Sequence, residues 1–468
     1  MIALARRAVE AASAAGASDA EAYAVEDSGR EVRVHGGEVE SLSAATQRGV
    51  GIRAWIGKRV GYAYGTDLSE AGVRALAERA AEAARVADED EFAGPPDSSA
   101  APPDSSAAAV RLMHADGAKG APEAAGGLSD PTLGEWSPDR LAELALVIES
   151  AALAADSRIA GVEQAVYADS AESVALVSSL GIEGEYSSSS CYGYVQALAE
   201  GEEGRETGLG FDLGRGPAAL DPAAIGREGA ERAAAMIGAG KPRSRTCPVV
   251  LDPTVAASFI ALIGRGLTAS AVQRGRSPFA ERLGDEIANQ VLALHDDGLD
   301  PEGFASAPFD GEGVPRRRTA LIESSALHTY LYDTYTANRD DAASTGNASR
   351  SGYRSQPSAS ASNLVVAPGE LSFVELLGEA DDGVLVTDVA GLHSGVNPVT
   401  GVFSVGASGR VIRDGELAEP LREFTIASDL VSMLRAVRAV GADSRWVPFG
   451  GSVKTPSLLV GEMTVAGS

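Results

Sequence analysis

Short runs of alternating apolar and polar residues dominate the chain between residues 21 and 67. An alternation with a period of two predicts half-buried strands, and glycines between the runs supply the turns of an antiparallel meander. The following segment, SEAGVRALAERAAEAARVA, has apolar residues at helical spacing and Ser69 as its predicted N-cap. The five predicted strands are EAYAVED, REVRVHGG, EVESLSAA, VGIRAWIG and RVGYAYG. Together these patterns predict a sheet with a helix closing over one face.

The alternation typical of strands and the spacing typical of helices both continue to the end of the chain. A helix in DRLAELALVIESAALAADS precedes several strands, and the helix DPAAIGREGAERAAAMIGAG closes this central stretch. A third stretch begins with the strand CPVVLDP and includes a predicted long strand, RTALIESSALHTYLYD, and a hairpin with Asp414 and Gly415 at its turn. The helix SDLVSMLRAVRAVG and the strand LLVGEMTVAG follow. Strand runs with segregated helices predict an α+β protein with antiparallel sheets.

One segment departs from this periodicity. Residues 88–137 contain DEDE, a repeated PPDSSA and a tract rich in glycine, alanine and proline. Such a composition buries too little apolar surface to offset the entropy of ordering, so we expect a flexible acidic insertion. The 468 residues allow two to four domains. We predict an N-terminal α/β unit (1–92), the insertion (93–137), a central unit (138–244) and a β-rich C-terminal domain (245–468).

Composition narrows the classes of function. The formal net charge of −27, with no basic stripe interleaved with aromatic residues, argues against nucleic-acid binding. No apolar run reaches the roughly 18 residues that a membrane span requires, and the charged first segment resembles an amphipathic helix rather than a signal sequence. Cys191 and Cys247 lie far apart, which is typical of a reducing compartment and argues against a thiolate metal cluster. We therefore expect a cytoplasmic protein without membrane or nucleic-acid partners.

Few residues are candidates for metal binding or catalysis. None of the five histidines pairs with another ligand at metal-binding spacing, although His295 adjoins Asp296 and Asp297. That trio suggests either an oxygen-rich cation site or a turn in which the aspartates bond the backbone. Two polar, glycine-containing loops, Thr345 to Ser362 and Gly391 to Gly409, are either functional or simply solvated.

The apolar stretch FIALIGRGLTASA raises a separate question, because Gly264, Arg265 and Gly266 interrupt its helical pattern. A glycine inside a helix costs about 1 kcal/mol relative to alanine. Either the helix ends there, or the glycines have a packing or site-related reason.

Four stretches, in order, resemble the TldD/PmbA (TldD/TldE) family of metallopeptidases. They are EVRVHGGEVESLSAATQRGVGIRAWIGKRVGYAYGTDLS, STGNASR, GVNPVTGVFSVGASGRVIRDGELAEPLREFTIASDLVSMLRAVRAVG and LLVGEMTVAG. The resemblance covers nearly the whole chain except the insertion. It implies the α+β architecture of that family, and a zinc peptidase in which two subunits enclose a cavity and only one of them carries the metal.

In the metal-bearing subunit of that family a helix reads HExxxH, and a cysteine near the C-terminus completes the site. If the GRG of this chain stands where that family has GHG, the histidine positions fall on Ile260 and Arg265, the glutamate on Ala261 and the cysteine on Phe449. None of these side chains binds zinc or acts as a base, and arginine stays protonated. The chain thus resembles the TldE/PmbA-type subunit, with no catalytic or metal-ligating residue of its own and with zinc expected in the partner.

The resemblance implies a function. The leading hypothesis is a metal-free subunit that forms a heterodimer with a TldD-like chain and supplies interface and substrate-chamber loops for proteolysis of peptides or unfolded chains. Chamber-facing candidates are Arg265, Asn347, Arg350, His393 and Asn397. Arg265 either fills the vacated pocket beside a carboxylate or points toward the substrate. The alternative is a homodimeric binding or regulatory protein of the same fold without peptidase activity.

Overall fold

The computed structural model describes residues 1–96, 127–202 and 204–467. Within these ranges the chain forms three six-stranded sheets and a two-stranded pair, with helices segregated from the strands in sequence. No helix in the described part combines the length and the apolar character that crossing a membrane requires. The architecture is the α+β class that the periodicity predicts.

The first sheet joins the N-terminal and central units. All its neighbours pair antiparallel, in the order β3-β2-β1-β4-β5-β6, and β1 and β4 are the strands that link the two units. The strands are β1 (Asp19–His35), β2 (Glu38–Ile56), β3 (Arg59–Gly65), β4 (Ile159–Ser178), β5 (Glu183–Gly201) and β6 (Gly204–Gly214).

The five short strands predicted near the N-terminus are three longer ones, which corrects that prediction. Gly29 and Gly49 lie inside the ladder, opposite Ala45 and Val25, rather than at turns. The turns are at Gly36–Gly37 and at Gly57, where the φ angles are positive. Glycine is tolerated within a strand, so its presence alone does not mark the strand's end.

Four helices cover one face of this sheet. Helices α1 (Ile2–Ala14) and α2 (Glu70–Val86) pack on the N-terminal unit, and α3 (Pro138–Ala155) and α4 (Pro222–Ala234) pack on the central unit. The opposite face of β1, with Tyr23 and Val25, packs against Phe309 and Tyr353 of the C-terminal domain. Each unit therefore repeats one plan: a helix, three antiparallel strands and a second helix.

Residues 127–137, which the sequence analysis assigns to the insertion, belong to the folded central unit. Leu128 and Leu133 are 3% and 6% exposed, and Arg30 donates to the carbonyl oxygens of Leu133 and Trp136 at 3.0 and 2.7 Å. The two leucines bury apolar surface, which the composition of the whole segment did not indicate. The predicted flexibility of residues 97–126 lies outside the described residues.

The C-terminal domain contains two sheets. One has the order β16-β15-β14-β7-β20-β17, and an extra pairing of β16 with β20 closes five of its strands into a ring. The strands of this sheet are β7 (Arg245–Leu251), β14 (Gly383–Ala390), β15 (Val402–Arg413), β16 (Glu416–Asp429), β17 (Val437–Val440) and β20 (Leu458–Ala466).

The other sheet has the order β10-β9-β8-β13-β19-β18. Its strands are β8 (Leu294–Asp297), β9 (Arg318–Glu323), β10 (Ala326–Leu327), β13 (Asn363–Val366), β18 (Arg445–Val447) and β19 (Ser452–Thr455). The pair outside both sheets is β11 (Ala348–Ser349) and β12 (Ser358–Ala359). The helices of this domain are α5 (Pro253–Gly266), α6 (Ala269–Gln273), α7 (Thr334–Arg339), α8 (Phe373–Ala380), α9 (Leu392–Gly395) and α10 (Leu430–Ala436).

Two further local predictions need correction. The predicted long strand after residue 317 is a short hairpin, because Ser324 and Ser325 adopt positive φ angles between β9 and β10. The helix predicted to span residues 428–441 ends at Ala436 and continues as β17, which pairs with β20. The hairpin at Asp414 and Gly415 is confirmed, since both residues have positive φ between β15 and β16.

Candidate functional site

The candidate site is built on helix α5, and Asp252 is the N-cap of this helix. The Asp252 carboxylate accepts the backbone N–H groups of Thr254 and Val255 at 2.8 and 3.1 Å, and Pro253 occupies the first turn. From the central unit, Arg232 donates to the same carboxylate at 3.0 Å. Burial raises the pKa of Asp252, whereas Arg232 and the two N–H donors lower it. The cap therefore also ties the central unit to the C-terminal domain.

Both interpretations of the glycines in α5 hold: the helix ends at Gly266, and the two glycines also have a packing reason. The helix lies between the two sheets of the C-terminal domain, in contact with β7 and β14 on one side and with β13, β18 and β19 on the other. A Cβ atom at Gly264 would lie 2.3 Å from Cδ1 of Leu364, and one at Gly266 would lie 3.0 Å from the ring of Phe279. The apparent interruption is thus a place of close approach inside the core.

The four positions that the resemblance singles out do not all meet. Ile260 is fully buried in the core of the domain. Ala261 and Arg265 lie one helical turn apart, and both face Gly450: a Cβ atom there would lie 3.5 Å from Ala261 Cβ and 3.4 Å from Arg265 Nη2. Phe449, the residue before Gly450, is 40% exposed. The structure therefore brings Ala261, Arg265 and the Phe449 loop together and turns Ile260 into the core.

These residues carry no donor set that fits zinc. Zinc in proteins is bound by thiolate, neutral imidazole or carboxylate groups, and none of the four side chains offers one. Within the described ranges no group of three or more histidine, cysteine, aspartate or glutamate side chains is arranged to hold a metal ion. Arg265 is exposed, and no carboxylate of the described residues forms an ion pair with it. The expectation that Arg265 pairs with a carboxylate in a vacated pocket is therefore corrected.

A cavity of about 850 Å³ lies between the central unit and the strand ring, beside the start of α5. Its charged wall includes Arg232, Asp252 and Arg445. The guanidinium group of Arg445 lies 4.1 Å from the centre of the Phe211 ring, and Phe211 also packs edge-to-face on Phe449 at 5.0 Å. Phe211 thus connects the cavity wall with the loop beside Arg265. No sequence motif had singled out these residues.

Two of the predicted chamber residues are interior. Asn347 is 2% exposed, and its amide donates to Asp296 Oδ2 at 2.7 Å and to the Ser360 carbonyl oxygen at 3.1 Å. The side chain of Arg350 is 1% exposed and forms an ion pair with Glu21 of the N-terminal unit. Both are structural contacts, so the expectation that they face a chamber is corrected.

The other loop candidates are at the surface. His393 and Asn397 are exposed, on and just after the short helix α9. The Asn397 side chain accepts the backbone N–H groups of Val399 and Thr400 at 2.9 and 3.1 Å, which is an Asx-type turn. Their role as chamber residues stays a prediction.

The trio around His295 does not form a cation site. His295 and Asp296 are neighbours on β8 and therefore point to opposite faces of the sheet. Asp296 is buried and accepts donors from Asn347 and Ser362, and burial raises its pKa. Asp297 caps a turn by accepting the N–H of Leu299 at 2.9 Å, as the simpler of the two interpretations expects.

Comparison with known proteins identifies the family. The family models described as the PmbA/TldA metallopeptidase domain 1, central domain and C-terminal domain match residues 20–84, 131–237 and 244–467. The chain is 28% identical to the metalloprotease PmbA homolog of Haemophilus influenzae, over 98% of this chain and 95% of that protein. It is 29% identical to the metalloprotease PmbA of Escherichia coli O157:H7, over 97% of this chain and 94% of that protein.

Solved structures agree with this assignment. A Thermotoga maritima protein described as a candidate modulator of DNA gyrase superposes with a TM-score of 0.86 and 25% identity, covering 99% of both chains. TldE from Thermococcus kodakarensis superposes with a TM-score of 0.87 and 22% identity, covering 99% of this chain and 100% of that one, and shares its fold. The three consecutive domain matches and the nearly full-length relatives show that this chain belongs to the PmbA/TldD family of metallopeptidase-like proteins.

Proposed function

We propose that this chain is the metal-free, TldE/PmbA-like subunit of a TldD/TldE-type zinc metallopeptidase complex. In this role it pairs with a TldD-like chain in the cytoplasm, and the partner holds the zinc. The chain itself supplies interface and substrate-chamber surface for the cleavage of peptides or unfolded polypeptides.

The observation that carries the proposal is the composition of the α5 surface. Ala261, Arg265 and Phe449 cluster around Gly450 where the family resemblance expects a glutamate, a histidine and a cysteine. A fixed positive charge at Arg265 would repel a zinc ion, and alanine removes the base that would accept a proton from a metal-bound water. Under this proposal, chemistry at a metal comes from another chain.

The neighbouring cavity supports a role in holding polypeptide. The cavity of about 850 Å³ is lined by both apolar and charged side chains. Phe211 in its wall contacts Phe449, so the cavity adjoins the Phe449 loop. A site of this size and mixed polarity suits a segment of a peptide. Arg265 is exposed and has no ion-pair partner among the described residues. In the proposed role its guanidinium group binds a substrate carbonyl or C-terminal carboxylate.

The test combines metal analysis with reconstitution. The chain is purified alone and together with the TldD-like chain of the same cells, and zinc content and peptide cleavage are measured for each. We expect no stoichiometric zinc and no cleavage from this chain alone, and cleavage that a chelator abolishes from the pair. One zinc bound per copy of the isolated chain would contradict the proposal.

Recovery from native cells distinguishes the homodimeric alternative. A TldD-like chain that co-purifies in equal amount supports the proposed subunit role. A homodimer with no such partner, and no effect on the partner's peptidase activity when added back, would instead support a binding or regulatory protein of the same fold.

A further inference from the structure

A second cavity, of about 440 Å³, lies between the N-terminal unit and the C-terminal domain. It shares no lining residue with the cavity beside α5, and neither Arg265 nor Phe449 lines it. One wall comes from β2, β3 and the segment after α2, and the other comes from α6, α7 and β12. Cavities of this size hold small molecules, so this one is a candidate site separate from the site around Arg265.

Contacts between the two domains fix the walls of this cavity. The Tyr335 hydroxyl group donates to Asp90 Oδ2 at 2.9 Å, and the Asn338 amide donates to the Phe92 carbonyl oxygen at 3.0 Å. The rings of Tyr335 and Phe92 also pack edge-to-face, with their centres 6.4 Å apart. The cavity is therefore preformed, which lowers the entropic cost of binding a ligand.

The buried end of the cavity has a carboxylate oxygen without a donor. Asp333, the N-cap of α7, is 5% exposed and lines the cavity. Its Oδ1 accepts the backbone N–H and the hydroxyl group of Thr336 at 2.8 and 2.6 Å, but no described residue donates to its Oδ2. Arg53, the buried cation of the lining, donates to Glu21 and Glu312 instead. A buried carboxylate oxygen of this kind favours a positively charged donor from a ligand.

The exposed end of the cavity has cations without a partner. Arg274 and Arg339 line it, both are exposed, and neither forms an ion pair among the described residues. Burial raises the pKa of Tyr335, whereas Arg339 and Arg274 act in the opposite direction, which places both cations near its hydroxyl group. Two guanidinium groups at the open end favour an anionic group such as a carboxylate.

The charges of the lining balance one another. Three arginines and three acidic residues line the cavity: Arg53, Arg274, Arg339, Asp90, Glu312 and Asp333. Polar side chains that can bond an uncharged part of a ligand are Ser270, Gln356 and Ser358. A neutral lining with an acceptor at the buried end and cations at the open end matches a ligand with one ammonium and one carboxylate group.

We propose that this cavity binds a small zwitterion, a free amino acid or a short peptide, with its ammonium group at Asp333 and its carboxylate at Arg274 and Arg339. The inference goes beyond the proposed function and does not depend on it, because no residue of the site around Arg265 takes part. A ligand in this cavity contacts both the N-terminal unit and the C-terminal domain, so its binding stabilises the native protein.

Titration with a series of related compounds tests whether both charges are recognised. The probes are alanine and dialanine, together with the N-acetylated and the C-amidated form of each, which lack one charge. Isothermal titration calorimetry of the native chain should give a dissociation constant below about 1 mM for at least one zwitterion. Its two blocked forms should bind at least about tenfold more weakly.

The two zwitterions distinguish the sources of the ligand. Tighter binding of alanine assigns the site to a free amino acid, and tighter binding of dialanine assigns it to a short peptide. Equal binding of a zwitterion and its blocked forms, or no binding of any probe, would overturn the proposal.

Asp333→Asn tests the ammonium contact. Asparagine is as good an N-cap as aspartate, so the variant should keep the melting temperature of the native chain without ligand. The lost charge should weaken binding of the zwitterion by about tenfold or more. Unchanged affinity would overturn the assigned position of the ammonium group, and the titrations of the native chain need no variant.

Arg274→Gln combined with Arg339→Gln tests the carboxylate contact. We expect this double variant to lose the preference for the zwitterion over its C-amidated form. Arg79→Gln is the matched control, because Arg79 is an exposed arginine of α2 that does not line the cavity, and it should bind like the native chain. A double variant that keeps the preference would overturn the assigned position of the carboxylate.

Discussion

Individual side chains show where sequence reasoning reaches its limit. Ala261 and Arg265 lie on one helix face because four residues separate them, which is about one helical turn. Arg350 is misplaced because its partner Glu21 is 329 residues away in sequence. Asn347 is misplaced for the same reason, since Asp296 lies 51 residues away. A polar residue in a glycine-containing loop looks solvated until its tertiary partner is known.

Replacing Arg265 separates a substrate contact from a packing role. Because the side chain is exposed and has no ion-pair partner among the described residues, Arg265→Ala should leave the melting temperature and partner binding unchanged. We expect kcat/KM of the reconstituted pair for peptides to fall by about tenfold, the usual size for one lost charge-assisted hydrogen bond.

Arg265→Lys is the control for that experiment, because it keeps the charge and should restore part of the activity. Unchanged cleavage by the R265A pair would contradict a substrate contact.

Among the elements, the ones with strong local signals are predicted best. Ser69 caps α2 as expected, accepting the Gly72 N–H at 3.1 Å, and the Asp414–Gly415 turn joins β15 to β16. Strand lengths are predicted poorly, since Gly29 and Gly49 lie within ladders. Whether a glycine ends a strand depends on what approaches it, and the local pattern does not contain that information. The same holds for α5, where Leu364 explains Gly264.

Alanine substitutions in two helices test this explanation. At Gly264 a new methyl group would lie 2.3 Å from a buried Leu364 methyl group, so Gly264→Ala should destabilise the fold by about 1–3 kcal/mol. Chemical denaturation measures the free energy of unfolding.

Gly378→Ala is the matched control, because α8 leaves open space around that position. It should be neutral or stabilise by up to about 1 kcal/mol, the helix preference of alanine over glycine. Equal effects at both positions would show that helix propensity, not packing, determines the change in the free energy of unfolding.

At the scale of the whole molecule, buried charges join the N-terminal unit to the C-terminal domain. Arg53 donates to Glu21 at 2.7 Å and to Glu312 at 2.9 Å, and Arg350 pairs with the same Glu21. All four side chains are at most 8% exposed. The sequence cannot predict these contacts between units, because each partner lies in a different segment.

Arg350→Met should show how much the buried ionic network stabilises the protein. Removing one partner of a buried ionic network typically costs about 3–5 kcal/mol, because the remaining charge stays buried. We expect a lower melting temperature and earlier proteolytic separation of the N-terminal unit.

Arg413→Met is the comparison, since Arg413 and Glu419 form an exposed pair on the β15–β16 hairpin. It should leave the melting temperature unchanged. A mild effect of R350M, equal to that of R413M, would contradict a structural role for the buried network.

The closed ring of strands has a consequence for biosynthesis. Strand β7 finds its neighbour β20 more than 200 residues later, at pairs such as Val249 with Val460. Loop-closure entropy makes such distant pairings slow, and β7 cannot pair with β20 until the more than 200 residues between them have been synthesised. The N-terminal and central units can fold during that time, whereas the domain that carries Arg265 must wait for β20. A nascent chain is therefore without the Arg265 surface until β20 has emerged from the ribosome.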